Sequence, residues 1–239
     1  MKTFNARGLV LREYEAGESD KRLLLLCKGV GRLFVYARGE RNPKSKFLAT
    51  AQLFTYGDFT LAQGRGFYSL TQAAPIESFY HLRTDYDALT CAHVIVEICE
   101  KTLLEEENCD DLLRLTLKAL GHLSRATHPP RQVLAVFMLR FFAWYGVAPF
   151  TENCLVCGNP DAPRLSPEGT TCRQHPAPSD GITLSASALT ATRYIFNSEP
   201  AAAFQFNAAP TVVDDLYRAA MLLWRHHFDT PLRSATFLE

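Results

Sequence analysis

The 239-residue chain has no net charge: 25 lysines and arginines stand against 25 aspartates and glutamates. A neutral chain is not a uniformly basic nucleic-acid binder, although a local basic face stays open. It also lacks a clean run of about 20 apolar residues, the length a membrane helix needs. Residues 133–150 come nearest, but Arg140 sits at their middle and Gly146 and Pro149 cut their end. A central arginine costs roughly 2.5–3.5 kcal/mol in a bilayer, so a buried central helix is expected instead. The N-terminus, MKTFNARGLVLREYE, has neither an apolar h-region nor a small-residue cleavage site, and is not read as a secretory signal.

Catalytic signatures are missing as well. The chain has no Gly-x4-Gly-Lys-Ser/Thr and no Gly-x-Gly-x-x-Gly, so neither common phosphate cradle is present. It has no Gly-x-Ser-x-Gly, His-Glu-x-x-His or His-x-Glu, and no nucleophile–base set emerges. The expectation is a protein that is not an enzyme. Asp110-Asp111 and Asp214-Asp215 are expected at helix starts, where carboxylates meet the positive end of the dipole. His226-His227 falls near a helix C-terminus, and Glu105-Glu106-Glu107 reads as a solvated helix end.

Apolar residues make up 47% and charged residues 21%, which excludes wholesale disorder and allows a real core without disulfides. Seven cysteines cannot all pair within the chain. Cys27, Cys91, Cys99 and Cys109 sit singly in apolar or helical surroundings, as buried thiols do. Together these features favour a reducing compartment and a cytoplasmic protein with no membrane partner.

Organisation changes along the chain. Residues 4–13, 21–28, 32–38, 51–62 and 67–73 read as five strands separated by glycine turns, with Gly57 suggesting a bulge and Pro75 closing the series. The leucines of 21–28 alone would also allow a helix. Helical periodicity follows over 85–104, 110–124, 132–145, 185–197 and 211–228, whereas 152–180 is rich in Pro, Gly and Cys and aperiodic. The predicted fold class is α+β: a five-stranded β unit over 1–78 that suits a small barrel or sandwich, a helical bundle over 79–150 and 181–239, and a Cys-rich insert over 151–180.

The insert holds Cys154-x2-Cys157 and, after fourteen residues, Cys172-x2-His175. Zinc takes four tetrahedral thiolate or imidazole ligands, and four protein ligands close the shell, so a structural Zn2+ is expected. The competing reading is two unrelated thiol pairs in a loop.

Charge is sorted along the chain. Residues 1–80 carry 12 cations against 7 anions, and between Asp20 and Thr50 there are eight cations against two. In strand 32–38, Arg32 and Arg38 share a face, and so do Phe34 and Tyr36. Single-strand binders combine a basic groove with rings on which bases stack. The bland alternative is a solvated basic loop with its rings in the core.

The stretch RLFVYARGERNPKSK, with the preceding EYEAGESDKRLLLL and the later Cys-x2-Cys-Gly, resembles the RecO family of bacterial recombination mediators. The resemblance covers essentially the whole chain and is most specific over 38–46. It implies an N-terminal OB-fold (an oligonucleotide-binding barrel), a helical bundle and an embedded zinc module. It also implies DNA repair by the RecF pathway: binding of single- and double-stranded DNA, annealing of complementary strands, and action with RecR, and with RecF, on DNA coated by single-stranded-DNA-binding protein (SSB). Arg38, Arg41, Lys44 and Lys46 fall in the matching block as phosphate contacts, and charge alone adds Lys21, Arg22, Arg32 and Arg7. His175 stands where the family pattern suggests a cysteine. A zinc-stabilised protein–protein scaffold without DNA binding is the alternative function.

Overall fold

A computed structural model describes residues 2–40, 45–104, 109–176 and 179–238. Five strands, β1 (Lys2–Ala16), β2 (Asp20–Cys27), β3 (Gly31–Ala37), β4 (Tyr56–Gln63) and β5 (Tyr68–Glu77), close into a barrel of order β1-β2-β3-β5-β4. All pairings are antiparallel except β3 with β5, where Val35 and Tyr36 meet Tyr68 and Ser69 in parallel. A closed five-stranded barrel with that single parallel seam is the OB-fold.

Alternation builds the barrel core. Leu33, Val35 and Ala37 point inward with Leu23, Leu25, Phe59, Leu61 and Leu70. Arg32, Phe34 and Tyr36 take the outer face of β3. In β2 the residues of the other parity, Leu24 and Leu26, are as buried as Leu23 and Leu25, so this run is covered on both faces, and its leucines form a strand rather than a helix. β1 slips register between Val10 and Arg12, a bulge that leaves Val10 and Leu11 both buried. The expected irregularity at Gly57 is present: β4 shifts register there, and a Cβ would sit 2.6 Å from the Ala74 carbonyl oxygen.

Two strand boundaries differ from expectation. β4 starts at Tyr56 rather than at residue 51, because Phe47, Ala51 and Phe54 are buried by a run of turns instead. β5 continues through Pro75 to Glu77. Only β4 flanks it there, so the missing proline N–H breaks no second ladder.

Among the described residues five α-helices follow: α1 (Tyr86–Thr102), α2 (Asp110–Ser124), α3 (Pro130–Tyr145), α4 (Ala186–Asn197) and α5 (Pro210–His227). The chain divides into two compact units, Met1–Thr84 with Val96–Leu117, and Asp85–Ile95 with Lys118–Glu239. In the first, the end of α1 and the start of α2 join the barrel. Glu100 receives Arg12 and the Tyr14 hydroxyl, each at 2.6 Å, and the Gly29 N–H donates to Asp110 at 2.6 Å.

In the second unit α3 packs on α4 and α5. It begins at Pro130, two residues earlier than expected, because a proline at N1 loses no helical bond. The apolar run forms this buried helix as far as Tyr145, where Gly146 caps it, and no described helix is long and apolar enough to cross a membrane. Asp110 and Asp111 do open α2, but Asp214 and Asp215 do not open α5, which starts four residues before Asp214. Asp214 pairs with Arg131 at 3.2 Å, and Asp215 accepts from the Ser185 N–H at 3.0 Å.

Between α3 and α4 the Cys-rich insert forms a small sheet, β7-β6-β8, from β6 (Arg164–Leu165), β7 (Thr170–Thr171) and β8 (Ile182–Thr183). Leu165 joins Leu184, Ala188, Leu189 and Ala219 in one cluster, which seats the insert on α4 and α5. Arg193 of α4 holds it further, donating to the Thr151 and Pro160 carbonyls at 2.6 and 2.8 Å.

Candidate nucleic-acid interface and metal centre

The basic residues of the barrel divide by what they touch. Arg22 lies on the outer face at the open end of β2. Its guanidinium stands 3.9 Å over the Phe34 ring and 5.8 Å from Tyr14, and it makes no ion pair with a described residue. Its Nε is buried without a hydrogen-bond partner. Arg32, on the outer face of β3 beyond Phe34, donates to the Glu100 carbonyl at 3.2 Å and lies 5.8 Å from the Phe34 ring. With Phe34, Tyr36, Phe67 and Tyr68 the two arginines line a cavity of about 250 Å³.

Arg38 is exposed in the turn after β3 and pairs with no described residue. Lys46 is exposed, with its ammonium on the Thr71 carbonyl at 2.9 Å and 4.9 Å from the Phe47 ring. Arg41 and Lys44 lie outside the described residues, as do Glu105, Glu106 and Glu107.

Two predicted contacts are engaged elsewhere. Lys21 is held between Glu13 at 2.7 Å and Glu40 at 2.9 Å. Arg7 is on β1 opposite Asp58 of β4, away from the β2–β3–β5 face, and the two form a fork at 2.7 and 3.1 Å. That hydrogen bond, more than the charge itself, draws the Asp58 carboxyl below its ordinary range.

Sequence reasoning missed Tyr14, Arg65, Phe67 and Tyr68 at this face. Arg65 is exposed and unpaired among the described residues, and Phe67 meets Tyr36 edge-on at 6.2 Å. Only the parallel β3–β5 seam brings them beside Tyr36, and no local pattern announces that seam. The interleaved Gly64-Arg65-Gly66-Phe67-Tyr68 was the available signal.

The second site is in the insert. Cys154, Cys157, Cys172 and His175 converge, with all ligand atoms within 4.8 Å of one another. Cys157 Sγ lies 3.7 Å from Cys172 Sγ, and His175 Nδ1 lies 3.6 and 3.1 Å from the sulfurs of Cys154 and Cys172. A tetrahedron with metal–sulfur bonds of about 2.3 Å places its ligands about 3.8 Å apart, so these donors fit one ion. The first pair is shaped by Gly158, whose φ of +72° lets its N–H reach the Cys154 carbonyl at 2.9 Å. Burial alone would raise the Cys154 thiol. The N–H groups of Cys172, Cys157 and Val156 outweigh it and bring the thiol down to about 6, favouring the thiolate a metal needs.

The other cysteines behave as structural thiols. Cys27, Cys91, Cys99 and Cys109 are buried, and desolvation lifts the first three to about 12.

Comparison with known proteins gives one family over almost the entire chain. Residues 1–79 match the family described as Recombination protein O N terminal, and residues 83–236 match Recombination protein O C terminal. A DNA repair protein RecO of Acetivibrio thermocellus is 29% identical over 244 residues, covering 100% of this chain and 97% of its own. One from a Nocardioides species is 31% identical over 256 residues, covering 99% of each chain. One from Desulfitobacterium hafniense is 34% identical over 179 residues, 73% of this chain and 65% of its own. With both halves matched and the full length aligned, the chain belongs to the RecO family.

Proposed function

We propose that this protein is a DNA-binding recombination mediator that serves DNA repair without catalysing a covalent reaction. The observation that carries the reading is the outer β2–β3–β5 face, where Arg22 and Arg32 interleave with the Phe34, Tyr36 and Phe67 rings, and Arg38 and Lys46 add exposed positive charge. Cations neutralise phosphates regardless of sequence, so single- and double-stranded DNA both bind. Holding two strands at one basic face reduces their mutual repulsion and lets complementary segments anneal. RecR and SSB are its protein partners on SSB-coated gaps, with RecF acting in the same pathway, and the cytoplasm is its compartment. The phosphate contacts are Arg22, Arg32, Arg38 and Lys46, with Arg41 and Lys44 from the intervening loop. Lys21 and Arg7 serve the barrel instead, since carboxylates already neutralise them.

The ion at Cys154, Cys157, Cys172 and His175 is a structural zinc. It would tie the loop after α3 to the strand pair β6–β7 and leave no open coordination position for substrate.

Strand annealing on SSB-coated DNA, with the double variant Lys44→Glu/Lys46→Glu beside the native protein, tests the reading. Native binding should weaken with salt at roughly 0.9 log units per phosphate contact on duplex DNA and about 0.7 on single strands. The variant should lose affinity for every sequence, with a shallower salt slope. A native protein that binds no oligonucleotide would leave a protein–protein scaffold as the function.

A further inference from the structure

The cavity on the outer face of the barrel is smaller and more specific than phosphate binding requires. Its volume, about 250 Å³, lies below the roughly 300–1,000 Å³ of sites that take drug-sized ligands. Its walls are planar groups: Phe34 and Tyr36 from β3, Phe67 just before β5, and the guanidinium of Arg22 over Phe34 at 3.9 Å, while the Tyr68 ring packs on the barrel core beside Phe4. None of the described residues lining it is acidic. The Tyr36 and Phe67 rings, perpendicular at 89°, form a corner rather than a flat shelf. Phosphates need only the cations. A corner of rings beside a stacked guanidinium suits a flat heteroaromatic ring joined to an anion, which is one nucleotide.

Resting on the DNA-binding reading above, we propose that this cavity takes a single unpaired base of the bound strand. The base adds a layer to the Phe34–Arg22 stack and meets the Tyr36–Phe67 corner with its edge. Its flanking phosphate lies toward Arg32, which lines the cavity. A base in duplex DNA is covered on both faces and paired along its edge, so it enters only if extruded. The cavity therefore distinguishes single strands from duplex, whereas the surrounding cations do not. During annealing, the captured base has to leave before its pair can close.

The test uses the full-length protein and two oligomers of equal length and charge, one of thymidine and one of abasic sugar-phosphate, with a duplex as third ligand. A stacked base is worth ~1–3 kcal/mol, and 1.4 kcal/mol is about tenfold. The native protein should bind the thymidine oligomer about 5- to 140-fold more tightly than the abasic one. Phe34→Leu should remove most of that ratio. Arg22→Lys should do the same, because it keeps the charge and loses the planar group. Phe34→Leu, which removes no charge, should retain native affinity for the abasic oligomer and the duplex, and for Arg22→Lys, itself a phosphate contact, the readout is the thymidine-to-abasic ratio alone. If Phe34→Leu fails to fold, Arg22→Lys and the native ratio still decide. A native protein that binds both oligomers equally overturns the cavity and leaves phosphate binding intact, as does a variant that loses affinity for both alike. Absence of binding to any of the three ligands overturns the DNA-binding reading and the cavity with it.

Discussion

Lys21 Nζ stands between two carboxylates, 2.7 Å from Glu13 Oε2 and 2.9 Å from Glu40 Oε2. Glu40 is only 1% exposed, and the other oxygen of Glu13 accepts the Leu53 N–H at 2.5 Å. One ammonium thus joins the end of β1, the start of β2, the turn after β3 and the run of turns before β4.

Lys21→Met should therefore act on stability more than on DNA. Removing the cation strands a buried carboxylate, and breaking a fully buried pair costs about 3–5 kcal/mol, an upper bound here because Lys21 is partly exposed. Denaturant unfolding should show a lower midpoint with an unchanged slope. Arg7→Gln, which opens an exposed cross-strand pair, should leave the midpoint nearly where it was. Equal midpoints for Lys21→Met and the native protein would place the barrel's cohesion elsewhere.

The contrast between Lys21 and Arg22 marks where sequence reading stops. Both are adjacent cations in a basic stretch, and charge counting treats them alike. Their side chains leave β2 on opposite faces, one toward two distant glutamates and the other toward an aromatic stack. The glutamates lie 8 residues before and 19 residues after Lys21, so no local pattern reports them. The five strand segments and the α+β layout were legible because period-2 and period-3.6 patterns are local. The metal cluster was legible because ligand spacing is itself the geometry. The β3–β5 seam, the occupation of Asp214 and Asp215 by Arg131 and Ser185, and the rings at the cavity arise only on closure.

The metal cluster should matter locally. Elemental analysis should find about one zinc per chain, and Cys154→Ser should lower it by removing one of four ligands. Hydrogen exchange should then rise over residues 151–183, where β6, β7 and β8 are each only two residues long. The barrel should keep its protection, because its core is built without the insert. Undiminished zinc in Cys154→Ser would refute the four-ligand assignment.

Two histidines should make the second unit weaken in mild acid. Burial pulls His122 below the ordinary value of 6.5, and His128, Arg125 and Lys118 add to the effect. Burial likewise lowers His227, helped by His226 and opposed by Glu168. A folded-state pKa below the unfolded one means that the unfolded chain binds more protons below about pH 6.5. The stabilisation is full above that pH and fades as the pH falls through the lowered values. Thermal melting between pH 7.5 and 5.5 should show this decline. His122→Gln, facing Thr127 at 2.7 Å, should flatten it. A slope unchanged in both His122→Gln and His227→Gln would assign the acid sensitivity to other groups.

Arg140 supplies the last test. It is the one charge within the apolar middle of α3, and its Nη1 donates to the Ile195 and Phe196 carbonyls at 3.1 and 2.8 Å. These carbonyls belong to the last turn of α4, where no intrahelical partner remains and the dipole favours a cation. Burial pulls the guanidinium's pKa down, yet an arginine stays protonated throughout the range in which proteins fold. Arg140→Met keeps the aliphatic stem and removes the donors, so it isolates the cap from the packing. Charge-assisted hydrogen bonds contribute about 1.5–3 kcal/mol, and a loss of that size is expected in denaturant unfolding. Amide exchange should quicken first at the end of α4, the helix whose Arg193 also holds the metal-binding insert. Arg140→Lys, with one shorter donor group, should recover part of the loss. If Arg140→Met instead raised stability, the cost of burying the charge would exceed the value of the cap, and Arg140 would have to be kept for something other than the fold.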